Sequence, residues 1–370
     1  MKRIIILTNS LSGLYSFRKE LIERLTELGY EVIISSPIDF DVAFYEKRNC
    51  RLLATAFKRK GKNPIKEIGL LYYYVRLMKK EKPDVVLTYT IKPNLYGGLA
   101  CNLCGVPQIA NITGLGSAVE SQGIMQKLTS ILYRIGLRKT SLVFFQNSAN
   151  RDFCVNRKLV KNRYILIPGS GVNLDYHQYQ EYPKIEPIRF VFISRLIKQK
   201  GIEEFFSAAE IIKKKYLNVE FHVVGFCEGQ YKHQLDGMQK KGIIRYHGIV
   251  KDIRPIFGMI HCTVHPSYYP EGMSNVLLES CAAGRPIITT DRPGCGEIVE
   301  DGINGYIVHP QDVSDLVCKI ERFIHLPYDE KVNMGKSGRK KVEKGFDRNI
   351  VVNAYIDEIE KNDKKCIKSV

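Results

Sequence analysis

Residues 262–283 read CTVHPSYYPEGMSNVLLESCAA, and this stretch decides the fold class. It opens with a short apolar run that predicts a buried strand ending near His265. A polar loop follows, and Ser274 is a suitable N-cap for a helix that begins near Asn275. A strand followed directly by a helix is the repeating unit of α/β proteins.

The same alternation extends along the whole chain, where apolar runs rich in β-branched residues alternate with helical patterns. The predicted strands are Ile4–Leu7, Val32–Ser35, Val85–Leu87, Ile109–Ile112, Leu142–Phe145 and Ile165–Ile167 in the first half, and Phe190–Ile193, Glu220–Val224, Ile244–His247, Cys262–His265, Ile287–Thr289 and Gly305–Val308 in the second. Two such series predict an α/β protein with two doubly wound, Rossmann-like domains, whose parallel sheets face each other across a cleft.

The domain boundaries follow from the polar, tyrosine-rich segment Asn173–Pro187, which is predicted to be a linker. The first domain then covers residues 1–172 and the second covers residues 186–347. The last predicted helix, Arg348–Lys361, lies beyond the strands of the second domain. We expect the segment 348–370 to cross back onto the first domain.

The composition narrows the class of protein. No apolar run of about 18 residues predicts a membrane span, and ten cysteines without disulfide-framework spacing favour the reducing cytosol. The net charge of +17 is uneven, because residues 1–180 hold 27 Lys+Arg against 13 Asp+Glu, whereas the remaining residues hold 29 against 26. This excess predicts an anionic partner for the first half, which can be nucleic acid, a membrane surface or a diphosphate, unless it is only a solvated basic surface.

The start of the helix near Asn275 is a candidate anion site. The first N–H groups of a helix have no partner within it, and the helix dipole adds to their positive potential. These groups belong to Met273, Ser274, Asn275 and Val276, while Gly272 lets the backbone come close to a ligand. The arrangement suits a diphosphate.

Two glutamates flank this helix start. Glu271 precedes it and can reach a polar group attached to the phosphate. Glu279 lies further along the helix, where its carboxylate can accept hydrogen bonds from two adjacent hydroxyls such as those of a ribose. Their spacing alone is also compatible with two ordinary residues near a helix N-terminus.

Two further loops follow predicted strands. Arg195 and Lys200 come after the strand Phe190–Ile193, where they can neutralise a diphosphate leaving group, although a basic residue after a strand is often only surface charge. Gly13 lies in Thr8–Tyr15, after the first strand, and can let backbone N–H groups face the cleft, so we expect it to contribute to donor binding. This loop lacks the glycine pattern and the Lys-Ser/Thr ending of nucleotide-hydrolysing phosphate loops.

Together these pieces resemble the family 4 glycosyltransferases, which have the GT-B fold. Glu271–Glu279 matches the E-x7-E signature of that family, and Arg195 with Lys200 matches its Arg/Lys pair. The resemblance covers essentially the whole chain and includes, in the same order as in the family, the segments Val224–Gly225, Tyr246–Val250, Gly284–Ile287, Thr290–Gly294 and Glu300–Gly305.

The resemblance implies a retaining enzyme that uses a nucleotide-sugar donor and needs neither a metal ion nor a cofactor. Arg195 and Lys200 would hold the donor diphosphate, and Glu271 with the amides after it would face the donor sugar and phosphate. Glu279 would bind the ribose, and the backbone of Val250 would meet the base. The family reaction is drawn as a front-face displacement, which needs no protein nucleophile.

Three segments of the first half resemble a narrower bacterial group, which extends undecaprenyl-diphosphate-linked glycans and includes N-acetylgalactosaminyltransferases. They are Gly13–Arg18, Thr88–Asn94 and Asn111–Gly116. By this resemblance the acceptor side would be lined by Tyr15, Arg18, Lys92 and Thr113. Many family members have a cleft histidine where this chain has Thr113-Gly114, so no role of that histidine transfers.

The basic first half also suggests a membrane surface. Arg51–Lys82 holds ten Lys+Arg against two Asp+Glu and includes Phe57, Tyr72, Tyr73 and Tyr74. Gln122–Lys139 carries a helical stripe of Ile124, Met125, Leu128, Ile131, Leu132 and Ile135 among basic residues. Such a pattern suits an anionic membrane surface, a core-facing helix or a single-stranded nucleic acid. No nucleic-acid module is recognisable, so we expect no nucleic-acid partner.

The sequence thus predicts a cytoplasmic enzyme, peripheral on the inner face of the membrane. It would transfer an N-acetylhexosamine from a UDP-sugar to a lipid-diphosphate-linked glycan for capsule or glycan biosynthesis. Two alternatives stay open, namely a soluble family 4 enzyme with a small acceptor and a non-catalytic nucleotide-sugar or nucleic-acid binding protein. Asp39-Phe-Asp41 looks like an Asp-x-Asp metal motif, but it lies in a short loop after the second strand, and we predict no metal site there.

Overall fold

The computed structural model describes residues 2–55, 64–115, 124–184, 186–227 and 229–367. The chain divides into two compact units. The first contains residues 1–170 and 348–370, and the second contains residues 171–347. Phe57 and Gly116, and the side chains of Ile124, Met125 and Leu128, which entered the predictions above, lie outside the described part.

The first unit is built on a parallel sheet of seven strands. These are β1 (Arg3–Leu7), β2 (Glu31–Ser36), β3 (Arg51–Ala54), β4 (Val85–Tyr89), β5 (Gln108–Ile112), β6 (Leu142–Phe145) and β7 (Tyr164–Leu166), in the spatial order β3-β2-β1-β4-β5-β6-β7. Its helices are α1 (Leu11–Glu27), α2 (Ala43–Glu46), α3 (Pro64–Glu81), α4 (Gly98–Cys104), α5 (Ile124–Gly136) and α6 (Ser148–Asn156). The strand order reverses between β1 and β4, and such a reversal places the usual ligand site at the carboxyl ends of the strands.

The second unit repeats this design with six parallel strands. These are β8 (Ile188–Ile193), β9 (Val219–Val224), β10 (Arg245–Tyr246), β11 (Cys262–His265), β12 (Ile287–Thr290) and β13 (Gly305–Val308), in the order β10-β9-β8-β11-β12-β13. The helices are α7 (Ile202–Lys215), α8 (Lys232–Lys240), α9 (Arg254–Met259), α10 (Asn275–Ala282), α11 (Val313–His325) and α12 (Tyr328–Gly345). Here the strand order reverses between β8 and β11.

The final helix, α13 (Arg348–Ile367), belongs to the first unit. Its apolar face, with Val351, Tyr355 and Ile359, packs in the same core cluster as β1 and α1. Arg348 also donates a hydrogen bond to the carboxylate of Glu20 on α1 at 2.9 Å. Among the described residues, no helix combines the length and the apolarity needed to cross a bilayer.

The structure differs from the sequence-based expectation at two places. Strand β3 was not predicted, because only two of its four side chains are partly buried and the other two are exposed. The segment predicted as a linker belongs to the second unit. It is held there by the buried guanidinium of Arg285, which donates to the carbonyl oxygens of Gln180 and Glu181.

Candidate active site

The predicted donor-side residues lie at the carboxyl edge of the second sheet. Arg195 and Lys200 follow β8, and the loop Pro266–Ser274 follows β11, which is the neighbouring strand. Gly201 allows the two loops to meet, because its φ is +79° and a Cβ atom on it would overlap the carbonyl oxygen of Pro266. The strand order and this glycine therefore bring Lys200 next to the loop that contains Glu271.

Lys200 and Glu271 form a buried ion pair. The ammonium group donates a hydrogen bond to Glu271 Oε1, and Ser267 Oγ donates to the same oxygen at 3.2 Å. Burial alone would raise the pKa of Glu271, but the charge of Lys200 and the contact with His265 lower it to about 2. Glu271 is therefore an anion at neutral pH, and it cannot act there as a general acid.

Arg195 adds a second positive charge beside this pair. It is exposed, and it forms no ion pair with a carboxylate in the described part of the chain. The ring of Tyr269 lies 5.7 Å from the Arg195 guanidinium carbon and 5.0 Å from Lys200 Nζ, so one aromatic ring contacts both cations. The site therefore contains two cations. Lys200 is buried and paired with Glu271, whereas Arg195 is exposed and has no carboxylate partner among the described residues.

The N-terminus of α10 presents free backbone donors. The N–H groups of Met273, Asn275 and Val276 donate to no atom of the described residues. Ser274 differs from its prediction, because its N–H donates to the carbonyl oxygen of Gly294 at 2.7 Å and its side chain makes no capping hydrogen bond. Three of the four predicted amides thus remain available to an anion, and Ser274 supports the loop.

Glu279 and Val250 are the residues predicted to bind the ribose and the base of the donor. The carboxylate of Glu279 is partly exposed on α10, and its Oε1 lies 3.9 Å from His177 Nε2. Val250 follows β10 and packs in the same apolar cluster as Ile193 and Val276, next to the free amides. The binding roles of these two residues stay predictions.

Three residues of the site were missed by sequence reasoning. His265, the last residue of β11, lies 3.4 Å from Glu271 Oε1, and burial lowers the pKa of its ring. Ser267 and Tyr269 contact the Lys200–Glu271 pair as described above. A polar residue at the carboxyl end of a buried strand was the available signal for His265.

His265 and Glu271 also form, with Cys295, the one group among the described His, Cys, Asp and Glu residues whose ligand atoms all lie within 4.8 Å. A resident metal ion does not fit this group well. The ammonium group of Lys200 already contacts Glu271 Oε1, and burial raises the pKa of the Cys295 thiol, which keeps it protonated.

In the loop Thr8–Tyr15 of the first unit, backbone N–H groups already donate to other groups of the protein. Asp39 Oδ1 accepts hydrogen bonds from the N–H groups of Leu11 and Ser12 at 2.7 and 3.2 Å, and the Gly13 N–H donates to Ser10 Oγ. The geometry therefore does not support the donor-binding role predicted for Gly13. Asp39 caps α1.

The predicted acceptor residues lie at the carboxyl edge of the first sheet. Tyr15 packs against Phe40 and Phe44, with ring centroids 5.0 Å apart in both pairs. Lys92 follows β4 and forms an ion pair with Glu67 at 2.5 Å, so its charge is balanced. Thr113, after β5, is half-buried. Arg18 lies one turn after Tyr15 on α1 and is the one of these four residues that is fully buried.

Comparisons with known proteins agree with this geometry. The family described as "Glycosyl transferases group 1" matches residues 178–341, and "Glycosyl transferase 4-like" matches residues 3–147. The chain is a family 4 glycosyltransferase. The glycosyltransferase is 26% identical over 96% of its length to the N,N'-diacetylbacillosaminyl-diphospho-undecaprenol α-1,3-N-acetylgalactosaminyltransferase of Campylobacter jejuni, 97% of which is covered.

Two further proteins complete the comparison. The glycosyltransferase is 27% identical to the UDP-Gal:α-D-GlcNAc-diphosphoundecaprenol α-1,3-galactosyltransferase of Escherichia coli, over 76% of each chain. Its structure matches Anabaena Alr3699/HepE in complex with UDP and glucose, with a TM-score of 0.77, 16% identity, and 98% and 100% of the two chains covered. The predicted GT-B fold and the predicted enzyme class are confirmed.

Proposed function

We propose that this enzyme transfers an N-acetylhexosamine from a UDP-sugar to a lipid-diphosphate-linked saccharide in bacterial surface glycan biosynthesis. The acceptor class is supported by the Campylobacter relative, whose name specifies a diphospho-undecaprenol acceptor and which aligns with 96% of this chain. UDP as the donor nucleotide is supported by the E. coli relative, whose name specifies UDP-Gal.

The observation that carries the donor assignment is the meeting of Lys200, Arg195 and the α10 N-terminus. Lys200 keeps further N–H bonds besides the one it donates to Glu271, and Arg195 is exposed next to it. With the amides of Asn275 and Val276, these cations can bind the two phosphates of a nucleotide sugar. Glu279 then accepts hydrogen bonds from the ribose hydroxyls, and Glu271 contacts a hydroxyl of the sugar.

The same groups account for catalysis. When the bond between the sugar C1 and the β-phosphate oxygen breaks, the electron pair stays on UDP, and Lys200, Arg195 and the amides stabilise this charge. The acceptor hydroxyl bonds to C1 on the same face and passes its proton to the departing phosphate, so the configuration is retained. Glu271 remains an anion throughout, since its pKa is about 2. In this proposal no metal ion and no cofactor is required.

A membrane-facing surface is proposed on helices α3, α4 and α5 of the first unit. On α3 the exposed face begins with Ile65, Ile68 and Tyr72, which are 79%, 68% and 68% exposed. Further along the same face it carries Arg76, Lys79 and Lys80. Apolar residues followed by basic ones on one exposed face suit an anionic lipid surface.

The neighbouring helices extend this surface. Leu103 on α4 is exposed, and Asn102 beside it donates a hydrogen bond to the carbonyl oxygen of Ile135 on α5 at 3.3 Å. The α5 stripe is divided, because Ile131 and Ile135 are exposed whereas Leu132 is partly buried against the core. We therefore propose that the enzyme is peripheral on the cytoplasmic face of the membrane, where a lipid-linked acceptor is found.

A transfer assay tests the proposed function. The full chain is incubated with UDP-N-acetylhexosamines and either an undecaprenyl-diphosphate-linked saccharide or the free saccharide. Transfer to the lipid-linked acceptor alone supports the proposal. Transfer to the free saccharide with equal efficiency would instead favour a soluble enzyme with a small acceptor, and nucleotide-sugar binding without transfer to either would favour a binding protein.

A further inference from the structure

Arg18 is a buried cation that has no counter-ion among the described residues. Arg18 is 4% exposed, and its guanidinium donates a hydrogen bond from Nη1 to the carbonyl oxygen of Phe17 at 2.7 Å and also faces the hydroxyls of Tyr89 and Tyr355. Its Nε is buried and has no hydrogen-bond partner in the part of the chain that the structure describes. None of the described carboxylates forms an ion pair with it. A buried charge in this condition costs free energy that the fold must offset elsewhere.

The other buried cations of the described residues are all satisfied. Arg285 donates hydrogen bonds to four backbone carbonyl oxygens. Lys331 donates to two. Arg348 and Lys200 are paired with the carboxylates of Glu20 and Glu271, respectively. Arg18 is thus the exception, and its environment differs from that of a structural arginine.

The groups packed around Arg18 are neutral. Its guanidinium carbon lies 5.3 Å from the centroid of the Tyr89 ring and 5.8 Å from that of Tyr355. Burial raises the pKa of both tyrosines, so neither supplies a negative charge. Asn111 donates a hydrogen bond to the Tyr355 hydroxyl at 2.7 Å, and Gln146 donates to Asn111 at 3.2 Å. The cluster therefore holds one positive charge and no negative charge.

A second unpartnered group lies next to this cluster. Thr90 directly follows Tyr89, and no described residue forms a hydrogen bond with its buried Oγ1. Its φ of +74° is unusual for a β-branched residue. Strained backbone of this kind is concentrated at active sites and ligand-binding sites. Tyr89 and Thr90 stand at the carboxyl end of β4, where the strand order of the first sheet reverses. Ligands of doubly wound sheets bind at this place.

We propose that Arg18 and Thr90 bind a phosphate of the lipid-diphosphate acceptor, which supplies the missing counter-ion. This inference rests on the proposed function for the identity of the anion. An acceptor diphosphate carries oxygens that accept from both the guanidinium Nε–H and the threonine hydroxyl. Arg18 is then a binding residue for the acceptor and has no role in binding the donor.

The test compares the wild type with Arg18→Met and Arg18→Lys, and uses Arg157→Met as a control. Arg157 also stacks on an aromatic ring, with 4.4 Å between its guanidinium carbon and the Phe153 centroid, but it is exposed. Initial rates are measured with short-chain polyprenyl-diphosphate-linked and polyprenyl-monophosphate-linked saccharides. We expect Arg18→Met to raise the KM for the diphosphate acceptor roughly tenfold to a hundredfold, the effect of losing a hydrogen bond to a charged group. The KM of Arg18→Met for the UDP-sugar should stay unchanged. The control variant Arg157→Met should keep the wild-type KM for both substrates.

The acceptor pair separates a binding role from a structural one. The wild type should prefer the diphosphate to the monophosphate acceptor, and Arg18→Met should lose this preference, with Arg18→Lys between them. An Arg18→Met enzyme that keeps the preference, or whose donor KM rises as much as its acceptor KM, would overturn the inference. A wild type that transfers to neither lipid acceptor would instead refute the proposed function.

Discussion

The ammonium group of Lys200 donates a hydrogen bond to Glu271 Oε1, although 71 residues separate the two in the sequence. The charge of Lys200 lowers the pKa of Glu271 and keeps this carboxyl ionised in a buried place. The pair fixes the position of a cation in the loop after β8, where the proposed reaction needs a positive charge to stabilise a departing diphosphate without rearrangement of the protein.

Removal of this cation should affect both catalysis and stability. We expect Lys200→Ala to lower kcat/KM roughly 10²- to 10³-fold, the usual effect of losing one preorganised charge-stabilising donor. It should also lower the free energy of unfolding by about 3 kcal/mol, because the buried carboxylate of Glu271 loses the positive charge of Lys200. Steady-state kinetics and urea denaturation measure the two effects.

Lys198→Ala is the matched control for this variant. Lys198 lies two residues away, is exposed and pairs with Glu203 at the surface. It should retain activity and stability. Equal losses in both variants would show that the general basicity of the loop, and not the pair with Glu271, is what matters.

The contact between the loops after β8 and β11 should depend on Gly201. An alanine at Gly201 or at Gly242 takes on a positive φ, at a cost of about 1–2 kcal/mol. Only at Gly201 does the added Cβ also overlap a backbone atom, since nothing lies within 4 Å of the corresponding position at Gly242. We therefore expect Gly201→Ala to lower the unfolding free energy by about 1–3 kcal/mol more than Gly242→Ala, and to lower activity as well. Equal unfolding free energies in urea would contradict this.

The stability of the second unit should fall in mild acid because of His261. Burial lowers the pKa of this ring to about 4 from an ordinary value of 6.5, and Nδ1 accepts a hydrogen bond from the Arg189 N–H, which a protonated nitrogen cannot do. The unfolded chain therefore binds a proton at this histidine at a higher pH than the folded chain does. The contribution of neutral His261 to the free energy of unfolding is present above pH 6.5 and is lost as the pH falls towards 4.

His261→Asn tests this account, since asparagine offers an acceptor oxygen but does not titrate. Between pH 7 and pH 4 the wild type should lose about 3 kcal/mol more unfolding free energy than the variant. Urea denaturation at a series of pH values measures the difference. Parallel pH profiles of the two proteins would rule out His261 as the source.

Sequence reasoning succeeded where the signal is local. Apolar runs located every strand except β3, whose Arg51 and Ala54 are exposed, and the Ser274–Glu279 pattern located the start of α10. It failed where partners are distant in the sequence. Asp39 caps α1 from a loop after β2, and Glu271 in the loop after β11 pairs with Lys200 in the loop after β8. Neither pair produces a repeating pattern in the sequence that could predict it.

Docking on anionic membranes should depend on the apolar face of α3. Replacement of Ile68 and Tyr72 by serine removes two exposed apolar side chains, and we expect binding to phosphatidylglycerol-containing vesicles to fall about tenfold or more. Activity on a short-chain acceptor in solution should stay unchanged. Co-sedimentation with vesicles at low and high salt measures the binding.

Leu217→Ser serves as the control for vesicle binding, because Leu217 is 91% exposed but belongs to the second unit. It should bind vesicles as the wild type does. Equal loss in the control, or binding to oligonucleotides that matches binding to vesicles, would argue against a membrane surface on α3.

The central claim is that the segment from Glu271 to Glu279 binds the donor, and a thermal-shift measurement with nucleotide sugars tests it most directly. UDP-sugars should raise the Tm of the wild type, and UDP should raise it more than UDP lacking the ribose 2′ and 3′ hydroxyls. Glu279→Ala should lose this preference for the intact ribose. If no nucleotide sugar stabilises the wild type, or if Glu279→Ala still distinguishes the two nucleotides, the donor assignment is contradicted.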